Sequence, residues 1–277
     1  MAVLECDREI IVLTRAPIAG RTKTRLMPDL SADQCARLHA AFLHDLGKMA
    51  RKAALACGAR VSVLVDPFSP SLNDVGSSLF GCAMGEAGFE RKEGAVAAVD
   101  AVVREAFGGF AAYGPQRGGG LGDRMAAAFS DAFGRGAAQC VLIGSDSPEL
   151  PEAVFVAAFE ALSSADCVFA PSLDGGYCLV GMSAPHPGVF DIAGYGGPTV
   201  LGRTLARARA LGLSCATLAP FADIDDSSDL SALATRLREQ RRFALRRGDN
   251  EEFPMQTLKE IERLAAEGVD AANGEGD

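Results

Sequence analysis
Short apolar runs alternate with stretches of helical periodicity along most of this chain, and that alternation restricts its possible folds more than any other feature. Glu9 to Thr14, Arg60 to Val65, Phe110 to Gln116, Gln139 to Gly144, Asp166 to Ala170, Tyr177 to Gly181 and Ser214 to Leu218 read as strands. A capping box, Ser31 with Gln34, opens a helix that runs to about Cys57, with Leu38, Phe42, Leu46 and Met49 at steps of three and four. Further helices are expected over Gly94 to Phe107, Asp123 to Phe133, Pro151 to Leu162 and Thr199 to Leu211. Another runs over Ser227 to Arg238, capped by Ser227 or Asp226, and a polar helix is expected near 255–267. Residues 67–92, rich in Ser and Gly, predict a loop with short elements. The pattern predicts an α/β fold of three layers, α/β/α, around an open, mostly parallel sheet. No repeat and no linker divides it: a single domain is expected over 1–267, with core motifs in 9–232, a C-terminal helical extension over 233–267 and a flexible tail at 268–277.

A chain of 277 residues, 48% of them hydrophobic, can bury a sizeable core. Its net charge of -9 opposes association with nucleic acid or an anionic membrane. No run reaches the roughly 18 apolar residues of a membrane span. The N-terminal MAVLECDRE carries charges where a leader peptide needs an apolar core, so a cytoplasmic protein is expected. Eight cysteines are scattered singly, without a CxxC pair, beside three histidines, which argues against zinc and against a disulfide framework.

Against this acidic background, Arg15, Arg21, Lys23 and Arg25 crowd into the turn after the first strand. In open α/β sheets ligands collect at the carboxyl ends of the strands. Pro17 stiffens this turn and Gly20 allows close backbone approach, and cations on such a turn suit phosphate groups. A solvated basic loop accounts for the same residues, and the Walker A pattern is absent. Four other segments fall at strand ends. Asp146 follows QCVLIG and can reach a Mg²⁺ or Mn²⁺ ion; a turn before Pro148 explains it equally. Asp174-Gly175-Gly176-Tyr177 fits a hairpin turn. In Asp223-Ile224-Asp225-Asp226, alternation puts Asp223 and Asp225 on one side, where two carboxylates repel unless a cation intervenes. Gln116 to Met125 is a glycine-rich run that opens a helix and could hold an anion, or be a flexible loop. The arginines from Arg236 to Arg247 read as a solvated helix face.

Taken in order, "TRAPIAGRTKTRL", "GGGLGDRMAAAF", "VLIGSDSPELP", "APSLDGGYCLVG" and "ADIDDSSDL" resemble a bacterial family of GT-A-type nucleotide-diphospho-sugar transferases, assigned as glycosyltransferases and in some cases linked to arsenosugar biosynthesis or radical-SAM gene neighbourhoods. The chain is also distantly similar to molybdenum-cofactor guanylyltransferases. The resemblance implies a Rossmann-like GT-A fold and a nucleotide-diphospho-sugar donor held with Mg²⁺ or Mn²⁺. It places Arg15, Pro17, Gly20, Lys23 and Arg25 at the phosphates. Gln116, Gly120, Leu121, Gly122 and Arg124 fall on the donor side, and Gly175, Gly176 and Tyr177 toward the acceptor. Asp146 takes the metal position, with Asp225 and Asp223 completing it; the usual Asp-x-Asp partner is replaced here by Pro148. Asp174 and Lys23 are the catalytic candidates. Family members often carry a Trp and a Ser after the DGGY segment, whereas this chain has Gly194-Tyr195-Gly196-Gly197-Pro198-Thr199 and no Trp. Metal-assisted transfer of a sugar from a nucleotide-diphosphate donor to an acceptor is the implied activity. A nucleotidyltransferase that releases pyrophosphate and a non-catalytic nucleotide-binding protein are the alternatives.

Overall fold
The computed structural model describes residues 7–66, 101–247 and 253–268. The 67–92 loop, the start of the 94–107 helix and most of the expected tail lie outside them. Seven strands form one sheet: β1 (Arg8–Thr14), β2 (Ala59–Val65), β3 (Ala111–Pro115), β4 (Gln139–Ile143), β5 (Cys167–Pro171), β6 (Tyr177–Met182) and β7 (Cys215–Thr217), in the order β3-β2-β1-β4-β6-β5-β7. β6 runs antiparallel to both its neighbours; every other pairing is parallel. The carboxyl ends of β1, β2, β3, β4, β5 and β7 therefore share one edge. The order reverses between β1 and β4, which opens a crevice beyond their tips.

Period-two alternation divides the sheet between two cores. Ile10, Val12, Val141 and Ile143 face α1 (Ala32–Cys57), α3 (Glu152–Ala161) and the helical residues 101–107. Ile11, Leu13, Cys140 and Leu142 face α2 (Leu121–Gly134) and α4 (Val200–Ala210). Both faces are covered, so the strands read as continuous apolar runs. Six described cysteines are free, four of them buried.

A third core decides the site. Leu26, Leu30, Cys35, Leu38 and Phe42 pack with Ile224 and with α5 (Ser227–Arg247) and α6 (Met255–Ala266). The sequence predicts a polar helix near 255–267, but Leu258, Ile261 and Leu264, three residues apart, are fully buried. Their spacing makes one narrow apolar stripe within a mostly polar segment. Asp45 on α1 accepts from the amides of Gln256 (3.1 Å) and Thr257 (2.7 Å) and so caps α6. Helix α5 runs nine residues past the expected Arg238, since no Gly or Pro interrupts it before Gly248. Arg236 and Arg241, expected to be solvated, pair with Glu149 (2.6 Å) and Glu262 (2.8 Å).

Candidate active site
Local sequence builds the basic turn. Ile18 donates its amide to Ala16 (2.8 Å) and Arg21 to Ile18 (3.0 Å), with Gly20 at φ 77. Lys23 also takes the left-handed conformation (φ 51), rare for a side chain with a Cβ. The one-turn helix Thr24–Leu26 follows and drives Leu26 into the third core, where Ile224 also sits. Apolar packing thus draws the basic turn and the DIDD segment together across about two hundred residues. Backbone bonds fix the rest: Ile224 donates to the Asp146 carbonyl (3.0 Å), Phe221 to Pro171 (2.9 Å) and Leu173 to Phe221 (3.2 Å).

The charges then fall into contact. Lys23 Nζ lies 2.5 Å from Asp146 Oδ1, donates to the Ile224 carbonyl (2.6 Å), and sits 4.9 Å from the centre of the Phe42 ring. Its side chain is 4% exposed, so this ammonium is fixed. Arg25 by contrast is 72% exposed and pairs with Asp225 at 2.6 Å. Carboxylate oxygens of Asp174, Asp223 and Asp225 lie within 4.8 Å of one another. Among the described residues no cation is within ion-pair reach of Asp174 or Asp223. Burial, then the charge of Asp174, pushes the Asp223 carboxyl up to about 6. Burial and Asp146 raise Asp225 against the pull of Arg25 and Lys23. Burial raises Asp146 too, but Lys23 and His39 outweigh it and leave its carboxyl below the ordinary value. Hard, crowded carboxylate oxygens match what Mg²⁺ or Mn²⁺ needs. The geometry groups Asp174 with Asp223 and Asp225, while Asp146 is held by Lys23.

The hairpin turn carries Asp174 at this point. Its Oδ1 accepts from the Gly176 amide (2.8 Å) and from the Ser172 hydroxyl. Gly175 has φ 91, and a Cβ there would stand 2.2 Å from the Pro198 carbonyl oxygen, so only glycine fits.

The other sequence candidates are differently placed. Arg15 is exposed, 3.6 Å from Asp66, which also holds Arg124 at 3.0 Å. Gln116 is buried and donates to the carbonyls of Thr14 (2.7 Å) and Leu64 (3.0 Å), bracing the β1 and β2 tips. The Gly120 amide is taken by Asp123 (3.1 Å). Leu121 is half exposed, while Gly122 packs so closely on Tyr195 and the Phe190 carbonyl that a Cβ would collide at 2.7 Å. Tyr177 lies edge-on to Phe169, its hydroxyl pushed well up by burial. Pro17 is half-buried in the turn.

Sequence reasoning passed over Asp66 and Ile224, and read His39 only as a structural or exposed residue of the first helix. Asp66 ends β2 as Asp146 ends β4, so the rule of acids at strand tips could have found it. Ile224 acts through its carbonyl and its packing, which no motif announces. His39 is 2% exposed, with Nε2 3.1 Å from the Arg15 carbonyl. Burial lowers its pKa to about 4, so near neutrality the imidazole is uncharged and donates from Nε2.

The profile of a bacterial family described as "Uncharacterized protein conserved in bacteria (DUF2064)" matches residues 91–196. No curated protein matches the chain. Among solved structures, a Desulfovibrio desulfuricans G20 protein provisionally described as a nucleotide-diphospho-sugar transferase is 25% identical, with a TM-score of 0.71 over 94% of this chain and 96% of that one. Two others superpose loosely: CMP:2-keto-3-deoxy-manno-octonic acid synthetase complexed with CTP (TM-score 0.48, 11% identity, 84% and 99% covered) and Rv0371c from Mycobacterium tuberculosis H37Rv (0.42, 16%, 81% and 96%). Motifs and fold agree: this is a three-layer Rossmann-like protein with the fold of the Desulfovibrio desulfuricans protein. Among the described residues no helix is long and apolar enough to cross a membrane.

Proposed function
We propose that this chain transfers a glycosyl group from a nucleotide-diphosphate donor, with a divalent cation, to an acceptor bound beside the Asp174 turn. The convergence of Lys23 and Arg25 with Asp146, Asp174, Asp223 and Asp225 beyond the tips of β1 and β4 carries this reading. The likeness to the Desulfovibrio desulfuricans protein supports it. Asp174, Asp223 and Asp225 would hold the Mg²⁺ or Mn²⁺, with Asp146 beside them. Such an ion supplies charge stabilisation at the departing diphosphate. Arg25, exposed beside Asp225, binds phosphate oxygens, with Arg15 at the rim. Lys23 keeps a fixed positive charge under the leaving group and orients Asp146. Fixed charge of this kind stabilises the transition state because it needs no reorganisation as the bond breaks. The Ser172 hydroxyl and the Gly176 amide orient the Asp174 carboxylate toward the acceptor side.

Incubation with Mn²⁺ and a panel of UDP- and GDP-sugars, followed by assay of free nucleoside diphosphate, tests the reading. Release of the diphosphate that depends on the sugar nucleotide supports it. Pyrophosphate released from nucleoside triphosphates instead would make the protein a nucleotidyltransferase, since the same charges serve that leaving group. Binding without turnover of either class would leave a non-catalytic nucleotide-binding protein.

A further inference from the structure
The two ion pairs at the site differ in kind. Lys23 is enclosed, bonded to a carboxylate and a carbonyl and stacked over Phe42. Arg25 bonds Asp225 directly at 2.6 Å, but on the open surface, the two side chains being 72% and 40% exposed. Asp225 also belongs to the group of three carboxylates whose oxygens lie within 4.8 Å of one another. One carboxylate therefore answers to Arg25 and to the place where a cation fits.

From this geometry we infer that Arg25 is an exchangeable counter-ion: it neutralises Asp225 in the empty site and moves to the donor's diphosphate when a divalent ion takes Asp225. The inference rests on the reading proposed above. It follows that each ligand alone has to break the Arg25–Asp225 pair, and that both together leave no charge unpaired. The bond from phosphate to metal adds to this coupling, but the exchange has its own signature. Removing either partner of the pair strengthens the binding, taken alone, of the ligand that the other partner receives. Linkage requires the effect to be reciprocal. Its size is that of an exposed ion pair, about two- to fivefold in Kd.

Calorimetric titration provides the test, with Mn²⁺ alone and with UDP and GDP alone in EDTA, on the wild type, Arg25→Gln and Asp225→Asn. Melting curves confirm that each variant is folded. Arg25→Gln is expected to bind Mn²⁺ about two- to fivefold more tightly and the nucleotide more weakly. Asp225→Asn should bind the nucleotide about two- to fivefold more tightly in EDTA and Mn²⁺ more weakly. Mn²⁺ affinity unchanged or reduced in Arg25→Gln would overturn the exchange, even with nucleotide binding intact. Wild-type protein that binds neither nucleotide, with or without Mn²⁺, would remove the proposed function and this inference with it.

Discussion

The two ends of the sheet each carry a cluster of charges, and they are built on opposite principles. At the amino end, Glu9 is fully buried in β1 and bonded to Arg60 (2.6 Å), Ser62 (2.6 Å) and Arg135. Two guanidinium groups and a hydroxyl satisfy one carboxylate, so nothing remains for a ligand. At the carboxyl end, Asp146, Asp174, Asp223 and Asp225 face Lys23 and Arg25, and the Asp223 carboxyl is pushed up by burial and by the carboxylates beside it. Buried charge closed upon itself specifies a fold, whereas an excess of one sign at a crevice specifies a partner.

The largest expected effect is at the open end. Asp225→Asn should lower kcat for donor turnover by ~10²–10³, the usual loss when one preorganised electrostatic contact goes. Its melting temperature should hold or rise, because a like-charge repulsion is relieved; a fall would mean that this cluster, too, is structural. At the closed end, Glu9→Gln should destabilise the protein to denaturant by about 1–3 kcal/mol, with nucleotide affinity unchanged. The half-exposed Arg60 and Arg135 can turn to water, which keeps the loss toward the lower part of that range.

A third, smaller effect depends on pH. The folded protein holds the Asp223 proton up to about pH 6, above the unfolded value, so it binds more protons than the unfolded chain between those limits. Stability contributed by this group therefore falls as pH rises through that window. Unfolding curves of wild type and Asp223→Asn should coincide below about pH 4 and separate by about 1–2 kcal/mol above pH 6, with the variant more stable. Smallest is Asp226→Ala. Asp226 stands beside the metal candidates but caps α5, its Oδ1 accepting from the amides of Ser228 (2.9 Å) and Asp229 (3.0 Å). Its loss should cost about 1 kcal/mol and leave Mn²⁺ affinity unchanged, separating structural from ligand-facing acids within one DIDD motif.

Local chemistry was legible in the sequence. The capping box at Ser31 and Gln34 forms as predicted, and the continuous apolar runs are the buried strands. Each reports on neighbours along the chain. The acids Asp223 and Asp225 were visible as a same-side pair, and the basic turn as an excess of charge. What joins them was not: Lys23 and Arg25 meet Ile224 and Asp225 across 201 and 200 residues. The packing of Leu26 and Ile224 around Phe42 makes that connection. The C-terminal helices were legible in position but not in role, since the stripe of Leu258, Ile261 and Leu264 is thin among polar residues. Asp174 was legible as a hairpin residue and, through the resemblance, as a catalytic candidate; only the fold of β5 onto β6 carries it to the other carboxylates.

The proposed activity depends on carboxylates and cations at one crevice that together hold a metal-bound diphosphate. Titration of UDP and GDP into wild-type protein with Mn²⁺, repeated with Asp223→Asn/Asp225→Asn, measures this most directly. We predict saturable binding of at least one nucleotide that Mn²⁺ strengthens in the wild type, and loss of that Mn²⁺-dependent gain in the folded double variant. An equal gain from Mn²⁺ in the two proteins would contradict it.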